Sequence, residues 1–250
     1  LVETDGAVAV VTLNRPEARN ALNPELIAAV KDAVATLDGR DDIGAIVLTG
    51  ADPAFCAGVD LKHLAAAPPT AGTAAHEAFE PLPPHRTPVV GAVNGAAVTG
   101  GLELALACDF LIASERATFA DTHARVGVMP GGGMTVRLPQ CVGINRARQM
   151  SCTGDFVDAR RAYEWGLVNE VVPHDRLLAR AREIASAITS TPKAYVREVR
   201  ALYDAVTALV GDAAWDRQED WARGWMRDRF DQARLASERE AVVERGSNQQ

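Results

Sequence analysis

The sequence has little of what marks several protein classes. It carries four cysteines in 250 residues, Cys56, Cys108, Cys141 and Cys152, none in CxxC spacing. Thiols so scattered offer neither a disulfide framework nor a structural zinc site, and they read as reduced, partly buried side chains. A basic excess is missing too. The formal net charge of -7 argues against a nucleic-acid partner, although a local group of Arg and Lys would suffice for a phosphorylated ligand. No stretch approaches the roughly 20 continuous apolar residues of a membrane span. The opening residues Leu1-Val2-Glu3-Thr4-Asp5 lack the basic and apolar regions of a signal peptide, so a cytoplasmic enzyme is expected. Familiar catalytic signatures also fail. Gly95 and Gly100 have P-loop spacing, but Gly101 stands where the phosphate-binding Lys is needed. There is no GxGxxG opening a helix after a strand, no HExxH and no GxSxG.

What is present is an ordinary globular composition, 48% hydrophobic and 24% charged, in a chain long enough to bury a sizeable core. Ala7 to Leu13 reads as a strand closed by Asn14, Arg15 and Pro16. A helix follows: Asn23 can cap it, Pro24 suits its first position, and Leu26, Ile27, Val30, Val34 and Leu37 share one face before Gly39. Further strands are expected at Ala45 to Thr49, Val89 to Val93, Phe110 to Ala113 and Val168 to Val172, with a helix from Gly100 to Cys108 and another between Asp158 and Gly166. The Pro-rich stretch from Ala65 to Pro88 reads as an irregular loop shaping a binding site, and the chain beyond Pro192 as helical, with a solvated charged face from Arg217 to Arg245. The alternation implies an α/β core followed by a helical C-terminal part.

Three glycine-containing turns adjoin the apolar strands: Phe55-Cys56-Ala57-Gly58-Val59-Asp60-Leu61, Asn94 to Leu104, and Val128-Met129-Pro130-Gly131-Gly132-Gly133. Glycine lets a ligand approach bare backbone N–H groups, and two such donors converging beside a helix N-terminus would make an oxyanion hole. Glu103 lies one turn into the helix that starts at Gly100, inside an otherwise apolar run, where a carboxylate is costly without a role or a partner.

In this order the motifs resemble the enoyl-CoA hydratase/isomerase (crotonase) family. Leu13-Asn14-Arg15-Pro16-Glu17-Ala18-Arg19-Asn20-Ala21-Leu22 is similar to its N-terminal signature, Phe55 to Asp60 to its first oxyanion-hole loop, and Asn94 to Asp109 to its central Gly-Gly-x-Glu signature. Gly166-Leu167-Val168 with Val171-Val172 is similar to a later helix–strand junction, and the match loosens after Pro192. The resemblance implies an α/β fold built as a crotonase-like spiral of ββα units. It divides the chain into an acyl-CoA-binding core, residues 1–191, and a C-terminal helical region, 192–250, that joins subunits into a homotrimer or a hexamer. It implies no metal or redox cofactor, coenzyme A being part of the substrate.

By the same resemblance, the N–H groups of Ala57 and Gly100 would grip a thioester carbonyl. Gly58, Val59 and Asp60 would line the substrate path together with Gly131, and Arg15, Arg19 and Lys62 would meet the coenzyme A phosphates. Glu103 would carry proton chemistry. The family's hydratases hold a water between two glutamates, but here the second position falls on His123. His123 could act as a general base, or hold the water while Glu103 supplies the proton. Hydration of a trans-2-enoyl-CoA is the expected reaction. The alternatives are isomerisation or carbon–carbon chemistry through the same enolate, or an acyl-CoA-binding protein that has lost the chemistry.

Overall fold

The computed structural model describes residues 1–60, 63, 80–228 and 233. Lys62 and residues 65–79 of the Pro-rich stretch therefore lie outside the described residues, as do 229–232 and 234–250 of the charged C-terminal run; residues 80–88 run without helix or strand.

The larger of two sheets has six strands in the order β1 (Val2–Asp5), β2 (Val8–Leu13), β3 (Ala45–Gly50), β5 (Val89–Val93), β7 (Phe110–Ser114) and β10 (Glu170–Val172). Only the β1–β2 pair is antiparallel; the rest run parallel. A parallel sheet is covered on both faces, so its strands read as almost unbroken apolar runs. Val8, Val10, Ala45, Val47, Val90 and Ala92 pack against Leu177, Ala181 and Ala185. Those three residues form the i, i+4, i+8 stripe of a helix over Leu177–Thr189. The alternate positions, Ala9, Val11, Leu13, Ile46, Leu48 and Val89, turn into the main core, where they meet Val30, Val34 and Leu37 of helix α1 (Pro24–Asp38). Asn23 caps α1 as expected, accepting from the Leu26 amide at 2.9 Å.

The smaller sheet explains the spiral. Its strands β4 (Ala54–Cys56), β6 (Ala96–Val98) and β8 (Thr118–Ala120) each follow shortly after β3, β5 and β7, and they lie parallel in that order, with β9 (Val157–Asp158) antiparallel at the edge. Each excursion brings a strand end to the same side of the molecule. After β6 comes helix α2 (Gly100–Leu106), and after β8 the short helix α3 (His123–Val126). These three-residue strands are too short to show a period-2 pattern, which is why sequence reading missed them.

Helices α4 (Met134–Val142), α5 (Ile144–Thr153), α6 (Ala159–Glu164, capped by Asp158), α7 (the Leu177–Thr189 helix) and α8 (Lys193–Asp228) complete the described chain. Arg197 on α8 donates to the Asp38 carbonyl and to Thr87 Oγ1, both at 2.8 Å, so α8 is tied to the end of α1. Among the described residues, no helix is long and apolar enough to cross a membrane.

Candidate active site

The loop after β4 is shaped by the segment from Arg15 to Leu22. Buried Asn20 donates to the Ala51 and Ala54 carbonyls at 2.8 and 2.7 Å, fixing the β3–β4 turn against that segment. Arg15 donates to the Ala21 carbonyl at 2.5 Å and to Asp60 Oδ2 at 3.2 Å. Arg15 and Asp60 thus clasp two loops together, which commits a guanidinium expected to meet phosphate and a carboxylate expected to line the substrate path. Arg19 is exposed beside them.

One expectation is overturned here. The Ala57 N–H is not free to grip a carbonyl, because it donates to the Arg19 carbonyl at 3.0 Å. The free amide lies two residues further on. Leu22 N donates to Gly58 O at 2.7 Å and Asp60 N to Leu22 O at 2.9 Å, making a parallel bridge that centres on Val59. In such a bridge the central residue's own N–H points away from the partner. The Val59 N–H has no hydrogen-bond partner among the described residues. Gly58 makes this possible with φ +93°, a backbone that a side chain would strain and that would push a Cβ against the Val98 carbonyl at 2.7 Å.

Gly100 stands opposite. Its amide is the first of α2 and so has no intrahelical acceptor. A Cβ on Gly100 would lie 3.5 Å from Val59 N, and one on Gly58 would lie 3.5 Å from Gly100 N, so the two free amides border the same small space. Thr99 turns the chain into α2 with φ 53° and ψ -114°, a conformation that suits glycine in a type II′ bend and is costly for a β-branched residue. It is held there by its N–H to Ala120 O at 2.8 Å and by its hydroxyl, 2.6 Å from Thr122 Oγ1 and 3.2 Å from the Thr122 amide.

Every residue of α2 is buried, Glu103 included. Glu103 Oε1 accepts from the amides of Gly132 and Met134 at 2.8 and 3.1 Å, where the chain enters α4. The Gly-rich loop containing half-buried Gly131 therefore grips the carboxylate with N–H groups at a helix start. Sequence reading missed this clamp, as it did the roles of Val59 and Asp121. With Oε1 occupied, Oε2 faces His123 Nε2 at 3.9 Å. His123 is itself 7% exposed, and its other ring nitrogen, Nδ1, lies 2.6 Å from Oδ1 of fully buried Asp121.

Burial pushes the Glu103 carboxyl above its ordinary range, an effect that the His123 charge and the two amides only partly offset. Burial alone would ease the proton off His123, but Asp121, through its charge and its hydrogen bond, and Glu103 beyond it, raise the imidazole's proton affinity instead. Burial likewise opposes charge on Asp121, yet His123 and the nearby Ser151 hydroxyl hold its carboxyl below the usual range. The result is a buried line of three ionisable groups, Asp121, His123 and Glu103, in which a carboxylate oxygen and a ring nitrogen face each other at 3.9 Å.

This arrangement sits on a spiral of paired strands and helices. The enoyl-CoA hydratase/isomerase family model matches residues 3–245, and the chain belongs to that family. It is 44% identical over 191 residues to a probable enoyl-CoA hydratase of Mycobacterium tuberculosis, covering 76% of this chain and 74% of that protein. It is 37% identical over 202 residues to the crotonyl-CoA hydratase of Syntrophomonas wolfei, covering 79% and 78%. Among solved structures, the enoyl-CoA hydratase from Mycobacterium smegmatis superposes with a TM-score of 0.83 at 48% identity, covering 91% of this chain and 97% of that one. The fold is thus the crotonase fold expected from the motifs.

Proposed function

We infer that this chain is an enoyl-CoA hydratase-like enzyme that adds water across the α,β double bond of a trans-2-enoyl-CoA. The observation that carries the reading is Glu103 Oε2 facing His123 Nε2 across 3.9 Å, next to the amides of Val59 and Gly100. In this reading the thioester oxygen sits between those two amides, which stabilise the enolate charge developing on it; each donor in a comparable site contributes on the order of 3 kcal/mol. A water bridges Glu103 and His123.

The local environment sets the direction of proton flow. Glu103, kept basic by burial, takes a proton from the water as its oxygen bonds to the β-carbon. His123, kept charged by Asp121, gives its Nε2 proton to the α-carbon. The proton left on Glu103 then passes back to His123. This reverses the roles expected from the motifs alone, where His123 was a base or a holder of water and Glu103 the proton source.

Gly58, Asp60 and Gly131 are assigned to the substrate path, and Arg19, which is exposed, and Lys62 to the phosphates. The reaction requires no metal or redox cofactor, since coenzyme A arrives with the substrate. Residues 1–191 form the catalytic core, and 192–250 join subunits into a trimer or a hexamer. That assembly is supported by Tyr195, Val199 and Leu202 on α8, 68%, 56% and 65% exposed at helical spacing. Free Cys141 and Cys152, both exposed, suit the reducing cytoplasm.

The test is turnover against a panel of enoyl-CoA thioesters of different chain lengths, followed at the conjugated double bond, with light scattering for the assembly. Hydration of at least one thioester by the wild-type protein, lost in Glu103→Gln, is expected. Tight binding of butyryl-CoA with no turnover above the variant would replace the reading with that of a binding protein.

A further inference from the structure

Asp121 has no place in a site made of two proton-carrying groups and two amides, yet it is fully buried, directly behind one of those groups. A carboxylate without exposure is expensive unless it is matched by charge and hydrogen bonds. Here a single oxygen, Oδ1, accepts twice from the same residue, from the His123 backbone N–H at 3.2 Å and from the ring Nδ1 at 2.6 Å. The first contact fixes the start of α3. The second fixes the ring, because a carboxylate can only accept, so Nδ1 must carry the proton in either charge state of the imidazole.

We propose that Asp121 is a positioning residue that locks the His123 ring with Nε2 turned toward the Glu103 carboxylate, so that a histidine–aspartate dyad does the work of a second carboxylate. The proposal rests on the hydratase reading for its kinetic consequence, while the geometry it describes stands apart from any substrate. The ionisable groups that face the dyad are Glu103 from α2 and, acting on Glu103 in turn, Arg137 from α4; the Ser151 hydroxyl of α5 faces Asp121. Removing the Asp121 charge leaves His123 with only Glu103 to favour its proton. It also frees the ring to flip, or to take the tautomer that presents a bare Nδ1 to the backbone.

The experiment compares the wild-type protein with Asp121→Asn and Asp121→Glu. In Asp121→Asn, kcat for crotonyl-CoA hydration should fall about 100-fold, as when the orienting partner of a functional histidine is lost. Butyryl-CoA should still bind within twofold of wild type, and the high-pH limb of the rate profile should move about one unit lower. Asp121→Glu should recover part of the rate. An Asp121→Asn enzyme within twofold of wild type at every pH, with an unmoved limb, would overturn the proposal. Imidazole 15N spectra of the wild-type protein provide a readout that needs neither turnover nor a folded variant. Nδ1 should be protonated on both sides of the His123 titration; a neutral ring protonated at Nε2 would overturn the dyad even in an active enzyme. Absence of turnover by a wild-type protein that shows the expected tautomer would instead strike the hydratase reading and leave the dyad standing.

Discussion

Gly101 and Cys56 are packed so closely that no side chain fits between them. A Cβ on Gly101 would press on the Cys56 carbonyl oxygen, lying 2.8 Å from its carbon and 2.9 Å from the Cys56 Cβ. The obstacle is mostly backbone, which cannot rotate aside. Gly101→Ala must therefore push α2 away from β4 and separate the amides of Val59 and Gly100. We expect a loss of about 1–3 kcal/mol, as for overpacking a tight core, seen in thermal melts as a drop of several degrees. Turnover should fall more than stability does, and a variant with wild-type kcat would refute the argument.

Glu103→Gln separates chemistry from folding. The amide oxygen of Gln can still accept from Gly132 and Met134, so the loop should stay in place while kcat falls about 10²–10⁴-fold. Stability should move the other way. A carboxyl whose folded value is raised costs the fold its ionisation, so the wild type loses stability as pH rises from the ordinary value of 4.5 toward the higher folded value. Gln carries no such cost. Chemical denaturation should find the variant at least as stable as wild type at pH 7, with its advantage shrinking to nothing below pH 4.5.

Restoring a second glutamate will not by itself improve the enzyme. His123→Glu would set a carboxylate against Asp121, where the ring now sits at 2.6 Å, and face Glu103 from the other side. Buried like charges so close cannot all ionise. The single variant should be less active than wild type, and adding Asp121→Gln should raise its kcat at least about tenfold by removing the repulsion. Equal rates for the single and double variants would show that Asp121 does not oppose the new carboxylate.

The junction of α1 with α8 gives a second pH signature. Burial works against charge on Asp38, but hydrogen bonds from Thr87 and Arg86 and the Arg197 guanidinium outweigh it and hold the carboxyl below its ordinary 3.8. A lowered carboxyl stabilises the fold above the unfolded value, and the gain disappears as pH falls through the lower, folded one. Asp38→Asn should cost about 1–3 kcal/mol at pH 7. The gap between variant and wild type in urea titrations should close as pH drops below 3.8. A gap that persists at low pH would mean that packing, not charge, is at stake.

How far the sequence could be read depended on distance along the chain. Glu103 and Gly100 were legible because everything that makes them unusual, a carboxylate in an apolar run one turn after paired glycines, lies within a few residues. The choice between Ala57 and Val59 was not. Which of the two amides is free depends on Arg19 and Leu22, nearly forty residues upstream, and on the positive φ of Gly58, between Ala57 and Val59. The role of Asp121 was not legible, since a side chain placed behind its neighbour has no spacing rule to betray it. Strands β4, β6 and β8 were invisible at three residues each, and α4 was hidden by its internal Pro139.

The hydroxyl pair of Thr99 and Thr122 joins two tasks that could have been built separately. Thr99 immediately precedes the Gly100 amide, proposed above to meet the thioester oxygen, and Thr122 lies between Asp121 and His123, proposed above to deliver the proton. Any displacement of one threonine is felt by the other across 2.6 Å. Under the proposed reaction, electrophile and acid rest on one hinge pin, and loosening it would throw both out of alignment in the same motion.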